Sequence, residues 1–90
     1  MKHELKCWPE HFRDVVQPNK YKRKMVEIRK DDRTYNVGDV LILKEFNPKT
    51  ETFTGSWAGV RVSHCLRGGP WVPEGYVAMS IHLEDFEFSE

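Results

Sequence analysis

The sequence predicts an α+β domain in which about five short strands curl into a small barrel, with one short helix near the N-terminus. Three observations predict it. Ninety residues support one core, because a chain this short buries only about two-thirds of its unfolded surface. Apolar and polar residues alternate in several short runs, the period of a half-buried strand. Only the stretch after Pro9 repeats its apolar residues at helical spacing. With 39% hydrophobic, 12% aromatic and 31% charged residues, the chain holds enough apolar material to fold as a single domain over residues 1–90.

Taken in order, HELKCW at 3–8 sets Leu5 and Cys7 on one side and Glu4 and Lys6 on the other, which predicts a first strand. Pro9 suits a first helical position, and Phe12, Val15 and Val16 make one apolar stripe, so a helix is expected over 9–17, ended by Gln17-Pro18-Asn19. Met25–Lys30 reads as a second strand with Val26 and Ile28 inward and Glu27 and Arg29 together on the opposite face. Asn36-Val37-Gly38-Asp39 is a turn leading into VLILKEF, and Asn47-Pro48-Lys49-Thr50 reverses the chain into TFTGSWAGVRVSHCL, a predicted hairpin. Along the returning strand Val60, Val62, His64 and Leu66 share one parity, which predicts a partly buried, hydrogen-bonded His64. After RGGPWVPEG, the segment YVAMSIHLEDF puts Val77, Met79, Ile81 and Leu83 on one side of a final strand.

Fourteen basic residues balance fourteen acidic ones, but they are sorted along the chain. Lys20, Lys22, Arg23, Lys24, Arg29, Lys30 and Arg33 crowd residues 20–33 against Glu27, Asp31 and Asp32, while Glu84, Asp85, Glu87 and Glu90 make the tail acidic. Sorted charge creates a local field that a zero total conceals. No run approaches the ~18 apolar residues of a membrane span, and MKHELKCWPEHF lacks the apolar core of a signal peptide, so a cytoplasmic protein with no membrane association is expected. Cys7 and Cys65 form no C-x-x-C pair, which fits a reducing compartment.

Lys24, Glu27 and Arg29 are the leading site candidates, because a strand running into a turn can hold charged groups beside a core-anchored scaffold. Lys24 suits phosphate as a point charge, Arg29 can grip it with two parallel hydrogen bonds, and Glu27 can accept from a base amino group or take a proton. The plainer alternative is a structural Glu–Arg pair on a solvated sheet face. Lys30 and Arg33 extend the positive charge, and Trp8 and Tyr35 are the preferred stacking rings, with Tyr21 and Trp71 as further candidates. His3, Cys7 and His11 cross a strand-to-helix boundary without paired ligand units, and no phosphate-binding glycine loop occurs, so neither metal nor cofactor is expected.

The run KRKMVEIR at 22–29 resembles the G-x-K-x-x-E-x-R signature of ASCH domains, which belong to the PUA-like superfamily of small β-barrels associated with RNA. Lys24, Glu27 and Arg29 match the signature, and Lys22 stands where it has glycine. HELK at 3–6, VEIRKDDR at 26–33, VGD at 37–39 and GYVAMSI at 75–81 together look like a family of small bacterial and phage proteins of unknown function related to ASCH domains. The resemblance implies a PUA-like barrel with a cleft beside the signature strand and a nucleic-acid or nucleotide ligand. One ASCH branch resembles an amidohydrolase acting on acylated cytidine through a Lys and a Thr, and Glu27 stands where that Thr falls. The expected function is therefore binding of single-stranded RNA or a nucleotide. The enzyme alternative uses Lys24 as nucleophile or proton carrier and Glu27 as general base on a modified nucleoside or RNA. A third alternative is a protein-interaction domain whose basic patch meets an acidic partner.

Overall fold

Leu5 and Cys7 turn inward along the first strand, and His3 joins them, in a computed structural model that describes residues 1–89. Five strands, β1 (Lys2–Cys7), β2 (Val26–Lys30), β3 (Val40–Asn47), β4 (Thr52–Leu66) and β5 (Tyr76–Glu87), form one sheet in the order β1-β3-β4-β5-β2. The sheet curls into a half-barrel, and one short helix, α1 (Pro9–Val15), follows β1 in the chain. Pro9 opens α1, where its missing N–H is no loss, and Phe12 and Val15 bury the helical stripe against β3 and β4. A bond of 3.1 Å from the Val16 N–H to the Phe12 carbonyl closes the last turn before Pro18 stops the helix.

β1 pairs with β3 in parallel, so Leu5 lies beside Leu43, and β3, β4 and β5 follow as antiparallel neighbours. Leu41, Leu43, Ala58, Val60, Val62, Val77, Met79 and Ile81 fill the concave side, with Leu83 packed at its edge. The turn before β3 explains two residues of the motif pattern. Gly38 adopts φ +94°, which an L side chain resists, and Asp39 then turns back to accept from the Asn36 N–H at 3.0 Å and to meet His3 Nε2 at 2.9 Å. The His3 hydrogen bond, helped by Asn36 and the N-terminal ammonium, outweighs burial and holds the Asp39 carboxyl down at about 2.

Two sequence expectations about which way side chains face are corrected. In β2, Glu27 pairs with Met79 and Arg29 with Val77, and both partners are fully buried on the inner face of β5. Glu27 and Arg29 therefore face inward, while Val26 and Ile28 are 49% and 62% exposed. In β4 the register slips between Val62 and His64, so Ser63 is an extra residue and the parity beyond it reverses. His64 and Leu66 are consequently exposed, and half-buried Cys65 packs on the core instead.

Because β1 and β2 stand at opposite ends of the strand order, curling brings the two edges toward each other without pairing them. Arginines bridge the opening. Arg29 Nη2 donates to the Lys6 carbonyl at 2.8 Å, and Arg33 Nη1 donates to the Glu4 carbonyl at 3.1 Å. Edge carbonyls of β1 that would otherwise face water or another chain are thus satisfied from β2 and the loop after it.

Candidate functional site

Glu27 sits where the apolar inner face of the sheet meets this opening. Its side chain is 8% exposed, which for a carboxylate requires compensating charge and hydrogen bonds. Both are present. Lys24 Nζ contacts Oε1, while Arg29 gives Oε2 its Nε at 2.9 Å and its Nη2 at 2.7 Å. Lys24 is fixed by its own backbone, whose N–H donates 2.9 Å to the Asp14 carbonyl at the end of α1. Arg29 is fixed twice, by Glu27 and by the Lys6 carbonyl. The helix end, β1 and β2 each hold one corner of the cluster.

The cluster forms the wall of a cleft of about 470 Å³. Lys6, Cys7 and Trp8 line it from the end of β1, His11 from α1, and β2 from Val26 to Arg29. Trp8 is 51% exposed. Lys24 keeps two ammonium hydrogens beyond the one directed at Glu27, and Arg29 Nη1 has no hydrogen-bond partner among the described residues. Oε1 of Glu27, which meets Lys24 alone, retains accepting capacity. Cys7 is no nucleophile here: burial first, and the Glu27 charge second, push its thiol up to about 11 against the opposing pull of Lys24 and Arg29.

A second hollow of about 410 Å³ continues past the Arg29–Lys6 bridge, lined by Glu4, Leu5, Lys6, Arg29, Arg33, Lys44 and Phe53. Across both hollows, Lys6, Lys24, Arg29, Arg33 and Lys44 stand against the carboxylates of Glu4 and Glu27. The local excess is positive although the chain as a whole is neutral.

The structure brings Lys24, Glu27, Arg29 and Trp8 together in the first cleft, and Arg33 lies on the second hollow. Lys30, exposed at the end of β2, lines neither. Tyr35 is corrected outright as a stacking ring. It is 1% exposed, burial pushes its hydroxyl pKa up, and its ring packs edge-on against His3 at 4.8 Å, so it offers no face to a base. Tyr21 and Trp71 are exposed and line neither hollow. Asp31 serves the fold: Arg67 pairs with it, lowering its pKa by hydrogen bonding, and also reaches the Tyr35 carbonyl at 2.6 Å.

Lys6, Lys44 and Phe53 are additions that sequence reading did not single out. Lys6 carried the signal of an ordinary outward residue of β1, and its partner Phe46, 4.4 Å below its ammonium, lies forty residues on in the chain. Lys44 and Phe53 are joined only by the β3–β4 hairpin, with the ammonium 5.1 Å from the ring centre.

Residues 2–81 match the family described as "Domain of unknown function (DUF3850)", and the chain belongs to that family. No curated protein matches the chain.

Proposed function

We propose that this DUF3850 protein binds a nucleotide unit, free or within single-stranded RNA, in the cleft between the ends of β1 and β2. The observation that carries the reading is the inward-facing Glu27, held between Lys24 and Arg29 on the wall of a basic cleft that also has an exposed tryptophan. A volume of 470 Å³ suits a ligand of nucleotide size, within the about 300–1,000 Å³ usual for small-molecule sites. Trp8 takes the base face, Lys24 and the free Nη1 of Arg29 take phosphate, and Glu27 accepts from an exocyclic amino group. The likeness of KRKMVEIR to the ASCH signature supports the same three residues and a PUA-like relationship.

Fluorescence anisotropy with a short single-stranded RNA tests the reading. Binding is expected at low salt and weakens as salt rises, and Lys24→Ala and Trp8→Ala each lower affinity about tenfold while the protein stays folded. Absence of binding at low salt, or binding indifferent to both substitutions, overturns it. The Lys24–Glu27 contact also favours a second reading, hydrolysis of a modified nucleoside with Lys24 carrying a proton and Glu27 as base. Turnover abolished by both Lys24→Ala and Glu27→Gln distinguishes it from binding alone.

A further inference from the structure

The opening between the edge strands continues beyond the first cleft. Its second hollow shares Lys6 and Arg29 with the first, so the two lie end to end along β1 with those cations between them. Phe53, 49% exposed, stands in the second hollow as Trp8, 51% exposed, stands in the first. Arg33, Arg29, Lys6 and Lys44 surround it, and Glu4, the one carboxylate there among the described residues, is paired with Lys44 at 3.3 Å. Arg33 and Arg29 bond to carbonyls two residues apart, about 6.6 Å along β1, which sets two guanidinium groups in a row beside the strand. An aromatic ring, a shared cationic step and a second aromatic ring are the components of a single-strand track, where bases stack and cations follow the backbone.

We infer that the second hollow is a second nucleotide subsite, so that the ligand is a single-stranded oligonucleotide, a dinucleotide or longer, rather than a free mononucleotide. This rests on the nucleotide reading of the first cleft. The linking phosphate lies on Lys6 and Arg29, and the second base stacks on Phe53.

Titrations of the full chain compare cytidine monophosphate with 5′-phosphorylated cytidine dinucleotide. The dinucleotide binds about tenfold or more tightly, the value of one stacked base, and its salt dependence is steeper by about 0.7 in logarithmic slope for the added phosphate. Phe53→Leu, which keeps an apolar side chain but removes the flat ring, erases the gain and leaves monophosphate affinity unchanged. Lys44→Ala reduces the gain in a variant that leaves the ring in place. Thermal melts of both variants confirm that the fold persists. Equal affinity for the two ligands, or a gain that survives Phe53→Leu, overturns the second subsite while leaving the first cleft standing. Oligoglutamate competing as well as the dinucleotide overturns it in favour of an acidic peptide. Failure of both nucleotides to bind removes the first-cleft reading and this inference with it.

Discussion

Replacing Glu27 by glutamine tests whether the buried carboxylate organises the cleft. Glutamine keeps the shape but turns one oxygen into an NH2 group that cannot accept, so either Lys24 or Arg29 loses its partner and the other keeps a weaker, neutral acceptor. Hydrogen bonds to charged groups contribute about 1.5–3 kcal/mol each. The Lys24 and Arg29 side chains are 20% and 27% exposed, so water re-solvates the abandoned cation in part. The net loss then falls toward the lower end, ~2 kcal/mol. For a domain of this size each kcal/mol moves the midpoint by about 4–8 °C, which gives a fall of ~8–16 °C in Tm. Circular-dichroism melting at pH 7 reads it directly. Glu4→Gln is the comparator, since Glu4 is 67% exposed in its pair with Lys44 and should cost ~1 kcal/mol or less. A Glu27→Gln shift no larger than that of Glu4→Gln would make the cluster an ordinary solvated ion pair with no organising role in the cleft.

Three further outcomes are expected. The Asp39 carboxyl is held near 2 against a usual value of 3.8, so the stability it contributes is fully present above about pH 4 and is lost as pH falls toward 2. Urea midpoints of wild type and Asp39→Asn should accordingly converge over that window, and a constant difference from pH 5 to pH 2 would contradict the His3–Asp39 assignment. Cys7, buried with its thiol pushed up to about 11, should resist iodoacetamide at pH 8 in the native protein and react once urea unfolds it. Rapid labelling of native Cys7 would count against the packed end of β1. Tyr35→Ala should destabilise by about 3–5 kcal/mol as a core truncation, whereas Tyr35→Phe should leave ligand affinity unchanged; a lower affinity would return Tyr35 to the site.

Much of the fold is legible in the sequence because the inner strands obey simple alternation. Leu5 and Cys7 in β1, and Val77, Met79 and Ile81 in β5, face inward as period two requires. The helix is legible from Phe12 and Val15, with Pro9 before and Pro18 after. β2 breaks the pattern for a physical reason. It is the last strand of an open half-barrel, so its inner face borders the core at β5 on one side and the opening to β1 on the other. Charged side chains can occupy that face only because Glu27 is neutralised there, a compensation that depends on Lys24 being tied to Asp14 and Arg29 to Lys6. The sequence rule that apolar residues point inward therefore inverts the strand. The β4 bulge defeats parity in the same way, since one unpaired residue, Ser63, moves His64 from the core side to solvent.

Of the site, the triad was legible as a group and its direction was not. Glu27 and Arg29 stand two residues apart on one strand, so their shared face follows from spacing, whereas Lys24, of opposite parity and ahead of β2, joins them through its backbone bond to Asp14. Lys6 and Cys7 reach the first cleft from β1, and Lys44 and Phe53 reach the second hollow from the β3–β4 hairpin, through a parallel β1–β3 pairing that skips α1 and β2. That pairing has no local signature. Tyr35 was misread because nearness to basic residues in sequence does not report the His3 ring that covers it.

The most direct test of the proposal that the first cleft binds a nucleotide is a ¹H–¹⁵N NMR titration with a short single-stranded RNA at low salt. The Trp8 indole signal and the backbone amides of Lys6, Glu27, Ile28 and Arg29 are expected to shift together and saturate, while the Trp57 indole, hydrogen-bonded to Glu87, does not move. Unchanged Trp8 and β2 signals under saturating RNA, or shifts confined to the outer face around His64 and His82, would contradict it.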